Sequence, residues 1–140
     1  MGTFSGVLPV RGLSRRGSGT VAAVYDSNHP GPQGLQNAFL FTRSTTSGSV
    51  LRMVTGVVYR PVRHVFSVWL KAGSATAAEL RIHIAGSTTL ATKIVTLTTE
   101  WQRFAVAGLP NGTDAYVCGV TANSYGSTTA GTIYVANAQF

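Results

Sequence analysis

The side chains that most often perform catalysis are few in this sequence and far apart. The 140 residues include four carboxylates, three histidines and one cysteine. Asp26 and Asp114 belong to turn segments, while Glu79 and Glu100 begin strand-like segments, so no pair is placed to act on one glycosidic bond. The histidines lack the spacing of metal ligands. The sequence therefore predicts that the protein is not an enzyme and that it uses no metal or cofactor.

Asp26 and His29 are the nearest approach to a catalytic pair. They lie in the segment DSNHPGP, which holds two prolines and cannot continue a strand. An aspartate in such a turn commonly caps its own loop, which is the simpler interpretation. The single cysteine, Cys118, has no His or Lys beside it and cannot form an internal disulfide. We expect a buried, unreactive thiol.

Arginine dominates the charge of the chain. The net charge is +7, from 11 Lys and Arg against 4 Asp and Glu, and residues 1–63 hold seven arginines against one aspartate. Arginine favours two-pronged contacts with carboxylates or phosphates, so an acidic partner surface is expected. The arginines are spread over several segments and no basic strand is interleaved with aromatics, which does not favour nucleic-acid binding.

Residues 1–18 carry many of these features and are predicted to form an extended arm, followed by a single domain over residues 19–140. Four glycines and a proline disfavour a helix, yet the apolar content is too high for a free tail. The alternative is an ordinary first strand that folds onto its own domain. If the segment is an arm, the residues expected to contact a partner are Phe4, Leu8, Arg11, Leu13, Arg15 and Arg16.

The aromatic residues raise the question of sugar binding, which requires flat rings on an exposed face. Trp69 is out of phase with Phe66, Val68 and Leu70 and is expected to point away from the core. Trp101 is expected to pack inside with its apolar neighbours, as most aromatics of a β-protein do. Trp69 and Tyr125 are therefore the candidate glycan-facing residues.

The elements that must position these residues are strands. Between residues 64 and 107, four short segments rich in β-branched and aromatic residues are separated by Gly, Ser or Thr clusters. Apolar residues alternate along them, a bulge is predicted near residues 95–96, and no window sustains a helical period. Further strands are predicted at residues 19–25, 37–43, 50–59 with a bulge at Gly56, 115–123 and 132–140. Eight or nine strands predict an all-β, two-sheet antiparallel sandwich.

Three segments, in this order, resemble a known family. They are residues 66–73 (FSVWLKAG), 97–104 (LTTEWQRF) and 131–139 (GTIYVANAQ). Together they resemble the carbohydrate-binding-module-like jelly-roll domains of phage virion proteins. The resemblance covers residues 61–140 and implies a jelly-roll sandwich. Because the chain ends at Phe140 where many relatives continue into a linker, we expect a free-standing small protein.

The resemblance favours a bacteriophage virion structural protein. The main hypothesis is an outer capsid decoration, or cement, protein that is made in the host cytoplasm and stabilises the icosahedral shell by non-covalent contacts with the major capsid protein. The alternatives are a glycan- or receptor-binding module of a tail or host-attachment apparatus, or a bacterial carbohydrate-binding module, with carbohydrate as the partner.

Two further expectations come from hydropathy. A mean hydropathy of +0.19 with only 11% charged residues favours self-association as a dimer or trimer. No segment approaches the length of a membrane span, and the N-terminus lacks the apolar core of a signal peptide.

Overall fold

The protein is an all-β sandwich. A computed structural model describes residues 3–4, 13–16, 22–25, 28–35, 38–45, 50–58, 62–84, 89–109 and 115–139. These ranges contain one short 3₁₀ turn, Pro32–Gly34, and no helix long and apolar enough to cross a bilayer. The strands are β1 Thr3–Phe4, β2 Leu13–Arg16, β3 Ala22–Tyr25, β4 Ala38–Arg43, β5 Val50–Val58, β6 His64–Ala72, β7 Ala77–Ile84, β8 Thr89–Thr96, β9 Gln102–Gly108, β10 Ala115–Ala122 and β11 Gly131–Gln139.

Two antiparallel sheets form the sandwich. The first has the order β3-β4-β11-β6-β9, and β1 also pairs with β11; the second has the order β2-β5-β10-β7-β8. Only the β3–β4 and β7–β8 connections stay within one sheet, so the chain repeatedly crosses between the sheets. This crossing pattern is that of a jelly roll and confirms the predicted fold class.

The core lies between the sheets and is filled by alternate residues of each strand. Phe66, Val68 and Leu70 of β6 are fully buried from one side, and Leu80 and Ile82 of β7 are fully buried from the other. Burying one such side chain contributes roughly 1.5–3 kcal/mol. The alternation fixes which residues of each strand face outward, and those residues form the two outer surfaces.

Irregular pairing occurs at one of the two places that the sequence indicates. The register between β5 and β10 shifts where Val54 and Val58 lie opposite Val117 and Ala115, which confirms the bulge predicted at Gly56. The bulge predicted at residues 95–96 is wrong. The pairing of β7 with β8 is continuous at these residues. Val95 faces the core and the neighbouring Ile94 is exposed, so the alternation of the strand is regular. The shift in this strand pair lies between Ile82 and His83.

The described parts of residues 1–18 are strands of the sandwich. Thr3–Phe4 pairs with β11 and Leu13–Arg16 pairs with β5, which explains why the strand count exceeds eight or nine. The backbone at these positions follows the alternative of an ordinary strand. The side chains of Phe4, Leu13, Arg15 and Arg16, and all of Leu8 and Arg11, lie outside what the structure describes, so their role in partner contacts stays a prediction.

The one cysteine is buried, as expected from its surroundings in the sequence. Cys118 is fully buried in the core cluster on β10. Burial raises the pKa of its thiol above the ordinary value, because the apolar surroundings disfavour a thiolate. Cys118 therefore packs as a small neutral side chain at physiological pH.

Candidate functional site

The outer face of the first sheet, the side turned away from the core, collects aromatic and cationic residues. Because Phe66, Val68 and Leu70 fill the core, the intervening Trp69 and Lys71 of β6 point outward and are half-buried. We call this surface the outer face.

Strand register determines which residues meet on the outer face. Lys71 lies opposite Tyr134 of β11, and Trp69 lies opposite Arg103 of β9. Trp101 stands immediately before β9, one position beyond the Leu70–Gln102 pair, at the level of Lys71. Two rows of side chains therefore cross the strands, one through Lys71 and one through Trp69.

A cation lies between two rings in the first row. The Lys71 Nζ is 5.3 Å from the ring centroid of Trp101 and 4.8 Å from that of Tyr134. Both distances are within the range of cation–π attraction. We call Lys71, Trp101 and Tyr134 the lysine cluster. The attraction holds the ammonium group at the surface, between the rings.

The loop between β3 and β4 borders the lysine cluster. Its His29 ring packs on Tyr134 with a centroid separation of 5.0 Å, and Trp101 Nε1 donates a hydrogen bond of 3.0 Å to the Pro30 carbonyl. At the loop tip Gln33 and Gly34 both have positive φ, a left-handed conformation that reverses the chain in a tight turn. The loop thus orients the Trp101 indole and walls one end of the outer face.

Two hydrogen bonds fix the arginine of the second row. Arg103 Nη2 donates to Ser67 Oγ at 2.6 Å and to Gln139 Oε1 at 2.9 Å. Gln139 can take part because the β11 pairing shifts between Ala136 and Gln139, where Asn137 adopts φ 47. Without this bulge, the alternation along β11 would turn Gln139 toward the core.

The charge on the outer face is unbalanced. Neither Lys71 nor Arg103 has a carboxylate within ion-pair distance among the residues that the structure describes. The ion pair that is present in this part of the chain joins Arg81 Nη1 and Glu79 Oε2 at 2.9 Å, on β7 of the second sheet. The outer face is therefore cationic and aromatic.

Tyr125 belongs to a different arrangement. Its ring lies 3.8 Å from the guanidinium carbon of Arg81, which also pairs with Glu79 and donates to Thr89 Oγ1 at 2.7 Å. Trp69 lies on the first sheet, whereas Tyr125 lies in the loop after β10 and packs on Arg81 of the second sheet, so the two candidates from the sequence do not form one site. Trp69 does lie on the outer side of its strand, as its phase predicts.

Arg43, at the end of β4, is only 1% exposed, and it anchors the loop after β10. Its guanidinium donates to the Thr121 hydroxyl and to four carbonyl oxygens, those of Ala122, Ser124, Tyr125 and Ser127. Burial lowers the pKa of Arg43, and the nearby Glu79 carboxylate partly opposes that shift. We call Arg43, Arg81 and Tyr125 the loop anchor.

Sequence reasoning missed several residues of the outer face. Trp101 was expected in the core, and this is wrong, because it is half-buried at the surface with its indole N–H on the loop. Lys71 and Arg103 were not predicted as site residues, and Tyr134 was not selected among the aromatics expected to face a glycan. Their alternation in each strand shows that they point outward, but only the register between strands shows that they meet.

No sign of a metal or catalytic centre appears in the described part of the chain. No group of three or more His, Cys, Asp and Glu side chains is placed there to hold a metal ion. His29 packs against Tyr134, and Asp26, its suggested partner, lies outside the described residues. The outer face can bind and orient a ligand through rings and hydrogen-bond donors.

Comparison with known proteins gives structural matches alone, since no family model and no curated protein matches the sequence. The CBM22-1 xylan-binding domain of Paenibacillus barcinonensis Xyn10C superposes with a TM-score of 0.71 at 13% identity, over 98% of this chain and 90% of that one. A structure described as CBM4 matches with a TM-score of 0.59 at 21% identity, over 85% of this chain and 76% of the other.

A phage protein is also similar in structure. The enzymatically active domain of tailspike protein 4 from bacteriophage CBA120 matches with a TM-score of 0.61 and 16% identity over 90% of this chain. This chain spans 18% of that tailspike chain. At such identities the matches establish a shared fold, the jelly roll of carbohydrate-binding modules.

Proposed function

We propose that this chain is a carbohydrate-binding module without catalytic activity, and that it binds a polysaccharide on the outer face. The observation that carries the proposal is the arrangement of Trp69, Trp101 and Tyr134 on neighbouring strands of one sheet, all half-buried. Half-buried rings keep part of their surface available to a ligand, while their attachment to the sheet limits the entropy lost on binding.

Binding would use stacking and hydrogen bonds together. Sugar rings present C–H groups that pack on aromatic rings, and their hydroxyls accept from groups such as the Arg103 guanidinium. Residues two apart on a strand are separated by about 7 Å. The row through Lys71 and the row through Trp69 can therefore contact successive parts of an extended chain.

The structural matches support this proposal. Several similar structures are xylan-binding domains or other carbohydrate-binding modules, and three of these matches cover 97–98% of this chain and 89–90% of the other chain. The tailspike match supports a host-attachment setting as one place where such a module would act.

The first prediction is that polysaccharide binding depends on the outer face. Trp69→Ala and Trp101→Ala should each weaken binding about tenfold, equivalent to about 1.4 kcal/mol, since each removes a stacking surface. Binding is measured by affinity electrophoresis in gels containing xylan, mixed-linkage glucan or an acidic polysaccharide. Circular dichroism melting establishes that the variants are folded.

Tyr125→Ala is the matched control, because it removes an aromatic ring that packs on Arg81 of the second sheet and not on the outer face. It should leave the migration in every gel unchanged. The assignment of the outer face would be contradicted if both tryptophan variants were retarded as strongly as the unaltered protein. It would also be contradicted if Tyr125→Ala abolished the retardation. If none of the polysaccharides retards the unaltered protein, the proposed function itself is contradicted.

Capsid decoration stays a prediction. The residues assigned to it, Phe4, Leu8, Arg11, Leu13, Arg15 and Arg16, have no described side chains, and self-association is likewise untested. The composition of purified particles discriminates the two roles, because a cement protein would approach the copy number of the major capsid protein. A few copies in each virion would instead favour an attachment module.

A further inference from the structure

We infer that the polysaccharide bound on the outer face is acidic, with carboxylate-bearing sugar units. The inference rests on the proposed function and names its ligand class. It is carried by two cations, Lys71 and Arg103, that neighbour Trp69 and have no carboxylate partner among the described residues.

The positions of the two cations follow from the sheet. Lys71 is two residues beyond Trp69 on β6, and Arg103 lies directly opposite Trp69 on β9. A sugar unit stacked on the indole would therefore have an ammonium group along the strand and a guanidinium group across it. A carboxylate on that unit, or on its neighbour, can reach one of them.

Arg103 retains donors for a ligand. Both of its hydrogen bonds, to Ser67 and Gln139, leave from Nη2. The Nη1 and Nε groups have no acceptor in the described structure, and the side chain is exposed. The two neutral acceptors fix the plane of the guanidinium without neutralising it, so the remaining N–H groups are oriented to bind a carboxylate.

Lys71 is held in place in a comparable way. The rings of Trp101 and Tyr134 attract its charge through their faces, which restricts the ammonium without accepting conventional hydrogen bonds from it. A neutral polysaccharide would satisfy the ammonium N–H groups through hydroxyl oxygens alone. A uronate would do so with an opposite charge, which makes the contact stronger.

Nucleic acid is the other polyanion that such a surface could attract. Affinity for nucleic acid arises chiefly from many phosphate contacts, each releasing counterions. The described outer face offers two cations, and its aromatic rings lie on neighbouring strands of one sheet. These features favour a polysaccharide with intermittent charge over a continuous phosphate chain.

The test uses polymers that differ in the carboxylate alone. The probes are glucuronic-acid-substituted xylan, the same polymer after reduction of its carboxyl groups to alcohols, and a single-stranded oligonucleotide. Affinity is measured by isothermal titration at two salt concentrations. The unaltered protein should bind the acidic polymer about tenfold more tightly than the reduced polymer, and the difference should shrink at high salt.

The variants separate charge from general binding. Lys71→Met should weaken binding to the acidic polymer about fivefold, the upper range for an exposed ion pair, and leave binding to the reduced polymer within about twofold. Arg103→Gln should behave similarly. Lys93→Met is the matched control, because Lys93 is an exposed lysine on β8 of the second sheet, and it should change neither affinity.

Each outcome is decisive. Equal affinity for the acidic and reduced polymers, lost in Trp69→Ala, would overturn the acidic ligand and keep the proposed function. An equal loss of affinity for the acidic polymer in Lys71→Met and Lys93→Met would also overturn the acidic ligand. So would binding of the oligonucleotide that depends on Lys71 and is tighter than binding of the acidic polymer. Failure to bind either polymer would overturn the inference, and failure with the wider panel of polysaccharides would overturn the function as well.

Discussion

Two cations of this molecule rest on aromatic rings, and their surroundings differ. Arg81 lies 3.8 Å from the Tyr125 ring and forms an ion pair with Glu79 at 2.9 Å. Lys71 lies 4.8 Å from Tyr134 and 5.3 Å from Trp101, and no described carboxylate balances its charge. The charge of Arg81 is paired with a carboxylate of the protein, whereas the charge of Lys71 is not paired with any carboxylate that the structure describes.

The difference indicates which surface interacts with a partner. The acceptors around the loop anchor include a carboxylate and several carbonyls, so a ligand there would have to displace bonds that the fold already makes. At the lysine cluster a ligand would add contacts and would displace only solvent. A cation held by rings and lacking a counter-charge is therefore a better indicator of a binding surface than a cation–π contact by itself.

The largest expected effect is on the loop anchor. Arg43→Met should lower the free energy of unfolding by about 3 kcal/mol, because one buried and three part-buried carbonyl groups lose their donor. The change is measured by urea denaturation followed by tryptophan fluorescence. Polysaccharide affinity of the folded variant should be unchanged, since Arg43 lies apart from the outer face.

Arg43→Lys is the companion variant for this prediction. It keeps the charge but has a single nitrogen in place of the planar fork, so its stability should fall between those of the unaltered protein and Arg43→Met. Loss of polysaccharide affinity in folded Arg43→Met, with stability unchanged, would show that the loop anchor belongs to the binding site and would break the comparison.

An effect of intermediate size is expected at Tyr125. Tyr125→Leu should lower the free energy of unfolding by about 1 kcal/mol, because a partly buried cation–π pair contributes between the values for exposed and for desolvated pairs. Tyr125→Phe keeps the ring and should match the unaltered protein within a few tenths of a kcal/mol by the same denaturation measurement. Equal losses in the two variants would assign the stabilisation to the hydroxyl instead of the ring.

The fold was accessible from the sequence because it depends on local patterns. Alternation along β6 and β7 identifies the residues that fill the core, and the Pro- and Gly-rich segments identify where strands end. A bulge was predicted correctly where a glycine interrupts β5, but no comparable residue marks the shift between Ile82 and His83.

The site was less accessible because it depends on long-range register. Lys71 and Tyr134 are 63 residues apart in the sequence and meet only because β6 and β11 pair. Trp101 was assigned to the core by its apolar neighbours, yet the loop carbonyl of Pro30 holds it at the surface. Pairing between distant strands and the path of a loop leave no periodic signal in the sequence.

The smallest effect on stability is expected at Lys71, although its charge is expected to contribute to binding of the proposed acidic ligand. Lys71→Met should change the free energy of unfolding by less than about 0.5 kcal/mol. A cation–π contact at an exposed site contributes about 0.5–1 kcal/mol, and the methionine side chain recovers part of it through sulfur–aromatic contacts with the same two rings. No buried ion pair is broken by the change.

Arg81→Met is the matched comparison, measured by the same urea denaturation. It removes the cation from Glu79, a carboxylate that is only 8% exposed, and should therefore cost about 2 kcal/mol. If Lys71→Met destabilises the protein as much as Arg81→Met does, Lys71 serves the fold and its missing counter-charge carries no information about a ligand. If Lys71→Met leaves stability intact but weakens acidic-polymer binding, the charge of Lys71 serves recognition of the ligand and not the stability of the fold.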